Sequence, residues 1–490
     1  MPFALLLVTF STILGLPGES AMPTQTAHLA SLQPCHVRGI DVEVRCGVLR
    51  VFENRDTRRG RTLDLKVIIL PPRHEPRAPD PVVSLYGGPG QAATDYAADE
   101  WTRWYRDHRE VILVDQRGTG GSNALDCQLS GTEDNVQGYM EPMFQPALFQ
   151  LCRERLERIA DLALYSTPIA MDDLDELRKI LGYEKINLYG GSYGSRAALT
   201  YIQRHPAHVR SAILFGVAPF SIKNPLYHAK SAQEALDRIF SACDDQPDCR
   251  AAFPGLRLEF LTILRRLDAS PVDVVVPHPS DGKPVRIRIG RPEFAEAMRV
   301  MTYDPDTVAA LPLTIHSAFS GDLVPFGREG LASNYWLRHL LRYGMLMSTT
   351  CSEDVARISE ADIVSQTAGT FLGDSRVRQE IESCKKWPMA NLTTDFDKPR
   401  RTTTPALIIS GFYDPVTPPH FGEEVLRDYL PKALHLITHR AGHSTISACT
   451  AGIANQFLDR LSTRDLDLSC LAKEQIEPFI TPQKVKVGAL

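Results

Sequence analysis

The pentapeptide Gly190-Gly191-Ser192-Tyr193-Gly194 is the stretch best suited to covalent chemistry. It matches G-x-S-x-G, with an apolar run before it and a helical pattern after it. In that context the serine sits on a tight, strained turn, and small neighbours leave it room. Its hydroxyl would project from the carboxyl edge of a sheet, at a helix N-terminus that favours developing negative charge. A serine hydroxyl is a poor nucleophile at neutral pH. It needs a general base, and the base needs an orienting carboxylate. The expected chain order is serine, acid, histidine. Asp414, in Gly411-Phe412-Tyr413-Asp414-Pro415-Val416-Thr417-Pro418, and His443, in Ala441-Gly442-His443-Ser444, supply that order. Each follows an apolar run that reads as a strand, where a site on an open α/β sheet belongs. Taken singly, Asp414 reads equally well as a turn aspartate and His443 as a loop histidine.

Acyl transfer also needs donors for an oxyanion. The Tyr193 backbone N–H, just after the serine, is one candidate. The second should come from Gly87-Gly88-Pro89-Gly90, where glycines let backbone N–H groups approach closely. Gly88 is favoured, with Gly87 a near equal and a plain Gly-Pro turn the alternative. Two other motifs carry less. His205 and His208 have metal-ligand spacing but flank Pro206, and no third ligand lies near them in the chain. Asp115-Gln116-Arg117-Gly118-Thr119-Gly120-Gly121-Ser122 lacks the GK[ST] ending of a phosphate loop and reads as a structural turn. No metal and no cofactor are expected.

The elements that must position these residues alternate. Strands are predicted over 63–70, 82–86, 111–114, 186–189 and 212–215, and helices over 98–107, 167–181 and 195–204. That rhythm predicts an α/β fold, a mostly parallel sheet with helices on both faces. It stops near 219. The stretch 220–400 is mainly helical in pattern, and strands resume at 406–410 and 433–438. The expected organisation is a sheet domain (35–219 and 401–490) interrupted by a helical cap (220–400).

With 490 residues, 43% of them hydrophobic, the chain can bury a core large enough to hold a rigid site. Lys plus Arg number 54 and Asp plus Glu 59, a net charge of −5 that argues against nucleic acid as partner. No internal apolar run is long enough to span a bilayer. The run FALLLVTFSTILGL at 3–16 suits a signal-peptide h-region, with cleavage expected near Ser20 and residues 1–20 removed, although no Lys or Arg precedes it. Export to the periplasm or beyond is expected. Ten cysteines agree with it: Cys35, Cys46, Cys127, Cys152, Cys243, Cys249, Cys351, Cys384, Cys449 and Cys470. Pairing sequential neighbours is the simplest connectivity, and sequence alone does not decide it.

The motifs together resemble the α/β-hydrolase peptidases related to prolyl aminopeptidase and the secreted tripeptidyl aminopeptidases. The resemblance runs from about 35 to the C-terminus, apart from a poorly marked middle. It implies an α/β-hydrolase fold and an exopeptidase whose substrates are peptides with a free N-terminus. Prolyl aminopeptidases commonly carry His before GGPG, whereas Tyr86 stands here. The long insertion and the cysteines look more like the tripeptidyl group. Such enzymes place acidic cap residues against the substrate's α-ammonium, and Glu353 in Cys351-Ser352-Glu353-Asp354 is the candidate, a solvated acidic turn being the alternative. A carboxylesterase or lipase on the same triad is the rival reading, and a binding module that kept the fold is a second.

Overall fold

The structure, a computed structural model, describes residues 28–482 except 475, so the run at 3–16 lies outside the described residues. Among the described residues there are eleven strands: β1 (His28–Cys35), β2 (Val44–Phe52), β3 (Thr62–Leu70), β4 (Val82–Leu85), β5 (Val111–Val114), β6 (Ile186–Gly191), β7 (Val209–Phe215), β8 (Val272–Pro277), β9 (Pro284–Ile289), β10 (Ala406–Gly411) and β11 (Leu434–Thr438). Nine form one sheet in the order β1-β2-β3-β5-β4-β6-β7-β10-β11. Pairing is antiparallel from β1 to β5 and parallel from β5 to β11. This is an α/β-hydrolase fold.

Burial explains the strand sequences. Every residue of β4, β5, β6 and β10 is buried, so these strands read as unbroken apolar runs with both faces covered. Val67, Ile69, Val83, Ile112 and Leu188 pack on one face against the helices Thr167–Ile180 and Tyr193–Arg204. Ile68, Leu70, Val111, Leu113, Ile213 and Leu407 pack on the other, with the helix Ala448–Arg460. The cysteines close five disulfides, 35–46, 127–152, 243–249, 351–384 and 449–470. No helix among the described residues is long and apolar enough to cross a membrane.

Two parts of the architecture go beyond the predicted strands. β1 and β2 extend the sheet ahead of residue 63. β2 carries Arg45 and Arg50 at its edges and takes its register from β3 rather than from a strong pattern of its own. The second part is the β8–β9 hairpin, within a segment that otherwise consists of helices between β7 and β10. That segment has its own core, in which Phe240, Phe260, Phe294, Leu311 and Phe326 are buried.

Candidate active site

Ser192 directly follows β6 and caps the helix Tyr193–Arg204 with φ 55° and ψ −126°. A non-glycine residue there is strained, and the surrounding structure must hold it in place. Its N–H donates to the Phe215 carbonyl at 3.0 Å, tying the turn to β7. The helix also runs very close to β4: a Cβ on Gly194 would lie 2.0 Å from the Leu85 carbonyl oxygen. That approach is why glycine follows the serine by two. The N–H of Tyr193, in the first turn, meets no acceptor among the described residues, as helix starts allow. The Tyr193 hydroxyl is anchored on Thr167 at 2.8 Å.

Asp414 follows β10 in a tight turn. Its Oδ1 accepts from the Val416 and Thr417 N–H groups, each at 2.8 Å, and its Oδ2 from the Thr417 hydroxyl at 2.7 Å. His443 Nδ1 lies 3.0 Å from Oδ1 and 2.9 Å from Oδ2. Asp414 is fully buried, and burial alone would raise its pKa. The His443 charge and the hydrogen bonds from His443 and Thr417 outweigh that and hold it below the usual carboxylate value. The imidazole is therefore oriented with Nδ1 toward a carboxylate and Nε2 left for other work. The His443 loop hangs on the inserted segment: Tyr303 O accepts from the His443 N–H at 3.0 Å and the Ser444 N–H at 3.2 Å.

The glycine loop distinguishes its two candidate donors. The Gly87 N–H donates to Gln91 Oε1 at 2.7 Å and is occupied. The Gly88 N–H has no such acceptor among the described residues. Gly88 has φ +104°, which suits glycine, and a Cβ there would meet Leu341 Cδ2 at 2.8 Å. Ser192, Tyr193, Gly88 and His443 all line one cavity of about 240 Å³. The inserted segment contributes Trp336, Leu340 and Leu341 to its apolar wall, and the stretch between β5 and β6 adds Met143 and Phe144.

Residues 80–261 match the family described as alpha/beta hydrolase fold, and residues 369–470 the family described as TAP-like protein. The fold is thus that of the α/β hydrolases, and the relatives to which the chain is similar carry the names of peptidases. It is 28% identical over 137 residues to a proline iminopeptidase of Neisseria gonorrhoeae, which is 28% of this chain and 32% of that protein. This hydrolase thus spans about a third of the length of the proline iminopeptidase it matches. It is 24% identical over 469 residues to the serine protease Hip1 of Mycobacterium tuberculosis, covering 85% of each chain. Among solved structures it is similar to a proline iminopeptidase-related protein of Thermus thermophilus, at 17% identity and a TM-score of 0.37, covering 85% of this chain and 97% of that one.

One expected site residue of this hydrolase lies elsewhere. Glu353 does not line the cavity. It ends the wholly buried helix Tyr343–Glu353, and its carboxylate accepts from the Thr167 N–H at 2.7 Å and the Thr167 hydroxyl at 2.9 Å. Burial pushes its pKa up to about 7, so the group is poorly fitted to counter an ammonium. Asp354 does reach the cavity, but it is already paired with Arg196 at 2.6 Å and Arg357 at 3.3 Å.

The histidine pair also needs correction, since further ligands lie near it in space. The helix Thr167–Ile180 packs on Tyr193–Arg204 and brings Asp175 Oδ1 to 2.6 Å from His208 Nδ1, and Asp172 Oδ1 to 3.0 Å from His205 Nε2. Ligand atoms of Asp175, His205 and His208 lie within 4.8 Å of one another, a spacing that could hold a metal. Both carboxylates are already engaged, by Arg178 at 2.7 Å and Arg204 at 2.6 Å. The Asp115 turn braces the fold: its carboxylate accepts from the Thr94 and Gly121 N–H groups, and fully buried Arg117 binds Asp173 at 2.7 Å. Sequence reasoning missed Tyr303, Arg299 and Arg376 on the cavity wall. All three come from the inserted segment, where periodicity signals only which face is buried.

Proposed function

We propose that this serine hydrolase is an exported peptidase that removes an N-terminal residue or short peptide by acyl transfer. Ser192 attacks the carbonyl carbon while His443 takes the hydroxyl proton, and Asp414 holds the imidazole in the right tautomer. The Tyr193 and Gly88 N–H groups receive the oxyanion, each such donor contributing ~3 kcal/mol in comparable enzymes. The proton on His443 then passes to the leaving amine. Water enters by the same route and releases the acyl group. The observation that carries this reading is the strained Ser192 turn opening into the cavity that also holds His443, whose Nδ1 is bound by buried Asp414. A wall supplied by the inserted segment fits entry by chain ends, and Hip1, named a serine protease, is similar over 85% of its length. Five disulfides support an oxidising compartment.

A carboxylesterase is the second reading. It is favoured by one observation: among the described lining residues the only carboxylate is Asp354, and it is already paired. Paired aminoacyl chromogens, free and N-acetylated, separate the two. A peptidase of this type cleaves the free amine far faster, whereas an esterase treats both alike. Ser192→Ala should fold normally, lose organofluorophosphonate labelling and lose turnover. Normal turnover by that variant refutes the assignment.

A further inference from the structure

The cavity holds more positive than negative charge. Arg196, Arg299 and Arg376 line it against Asp354 alone. Arg196 and Asp354 cancel each other at 2.6 Å. Arg299 and Arg376 share a single carboxylate: Glu296 Oε1 accepts from Arg299 Nη2 at 2.7 Å and from Arg376 Nη1 at 2.6 Å. Arg338 acts on the same carboxylate, and its own Nη1 is buried without a partner. Three guanidiniums therefore surround one anion.

The other titratable neighbours do not restore the balance. His228 Nδ1 accepts from Arg376 Nε at 3.2 Å, and burial beside these cations keeps the ring neutral. Glu380 lies one turn along the helix from Arg376. Burial pushes its pKa up to about 8, so it carries a proton at neutral pH. The Arg376 guanidinium stacks over the Phe144 ring at 4.9 Å, but its Nη2 has no hydrogen-bond acceptor except the Met143 sulfur at 3.8 Å, a weak one on the cavity wall. A buried guanidinium with an unserved arm is costly, and a planar carboxylate is the group that fits its fork.

We propose that the cavity takes substrates that bring their own carboxylate, bound by Arg376 with Arg299 behind it. This deepens the acyl-transfer reading and rests on it. A peptide offers such a group in two places, an acidic side chain and its own C-terminus.

The test uses the full-length protein and two substrate pairs: aminoacyl chromogens with Glu against Gln as the acyl residue, and short peptides with a free against an amidated C-terminus. At least one pair should show a preference for the acid of tenfold or more in kcat/KM, mostly through KM, and the pair that does identifies the source. Arg376→Gln should reduce that ratio to about one. Glu296→Gln, which frees both guanidiniums, should raise it, so a poorly folded Arg376 variant does not leave the question open. Equal rates within both pairs, with normal turnover of neutral substrates, overturn the proposal and leave the serine-hydrolase reading standing. If turnover persists in Ser192→Ala, the acyl-transfer reading falls instead. Binding is then decided on that variant by thermal shift: glutarate should raise Tm and glutaramide should not, and equal effects overturn the carboxylate site.

Discussion

Glu353→Gln separates a buried strut from a substrate-binding acid. The carboxyl is enclosed, its hydrogen bonds among the described residues come from Thr167, and burial lifts its pKa from 4.5 to about 7 against the nearby Arg196 charge. Between those two values the folded protein keeps a proton that the unfolded chain has released. Stability therefore falls as pH rises through this window and is flat above it. A difference of about 2.5 pH units at ~1.4 kcal/mol each gives a loss of ~3 kcal/mol from this group. Glutamine has the shape of the protonated acid and does not titrate, so the variant should match the wild type near pH 4 and exceed it by about that amount at pH 8. Urea denaturation at pH 4, 5.5, 7 and 8 measures the difference, with Glu380→Gln alongside because Glu380 adds a second slope reaching to about 8. KM for free-amine substrates should move less than about twofold, since Glu353 does not line the cavity. Parallel pH curves for variant and wild type would refute the burial argument. A KM rise of tenfold or more, without the change in slope, would return Glu353 to the role of ammonium ligand.

Glycines on two helices should respond oppositely to a methyl group. Gly194→Ala drives a Cβ into the Leu85 carbonyl and shifts the Ser192 turn, so kcat should fall about 100-fold and stability by ~1–3 kcal/mol. Gly452→Ala, in open space on the helix Ala448–Arg460, should stabilise by ~0.5–1 kcal/mol without touching kcat. Chemical denaturation and steady-state rates test both, and equal effects at the two positions would contradict the packing described. Replacing Cys351 and Cys384 by Ala opens a loop with a sequence separation of 33 and frees the helix that ends in Glu353, at a cost of about 4 kcal/mol. An unchanged denaturation midpoint would show that this bridge constrains little.

The expectation for Ser192, Asp414 and His443 rests on local turn signatures just past apolar strands, of which β6 and β10 are wholly buried and β11, at the sheet edge, is half-buried. Buried parallel strands announce themselves without knowledge of their neighbours, and the carboxyl ends of such strands converge. The strands β1 and β2, at one end of the sheet, were not legible in the same way. β2 is a mixed pattern whose register is imposed by β3. Glu353 was misread because the acidic pair beside a cysteine suggests a wet turn, whereas it ends a helix buried on every side. The ligands near His205 and His208 arrive from a packed helix some thirty residues away, a juxtaposition that only tertiary structure creates.

The cap wall shows why chemistry and selectivity differ in legibility. The proposed reacting groups lie just past the ends of sheet strands, where local backbone geometry dictates residue type. The charges facing them come from the helices Arg291–Met301 and Ser375–Cys384, where any long side chain on the inner face satisfies the helical pattern. Yet the two are mechanically joined. Arg299 donates to the Tyr303 hydroxyl at 2.6 Å, and the Tyr303 carbonyl accepts the His443 N–H at 3.0 Å. The segment that carries the cavity's surplus charge is thus also the one that holds the His443 loop. A substrate anion drawn to Arg376 would pull on Glu296 and Arg299, and through Tyr303 on the backbone of the histidine. On the proposed reading, selectivity and catalysis share one wall.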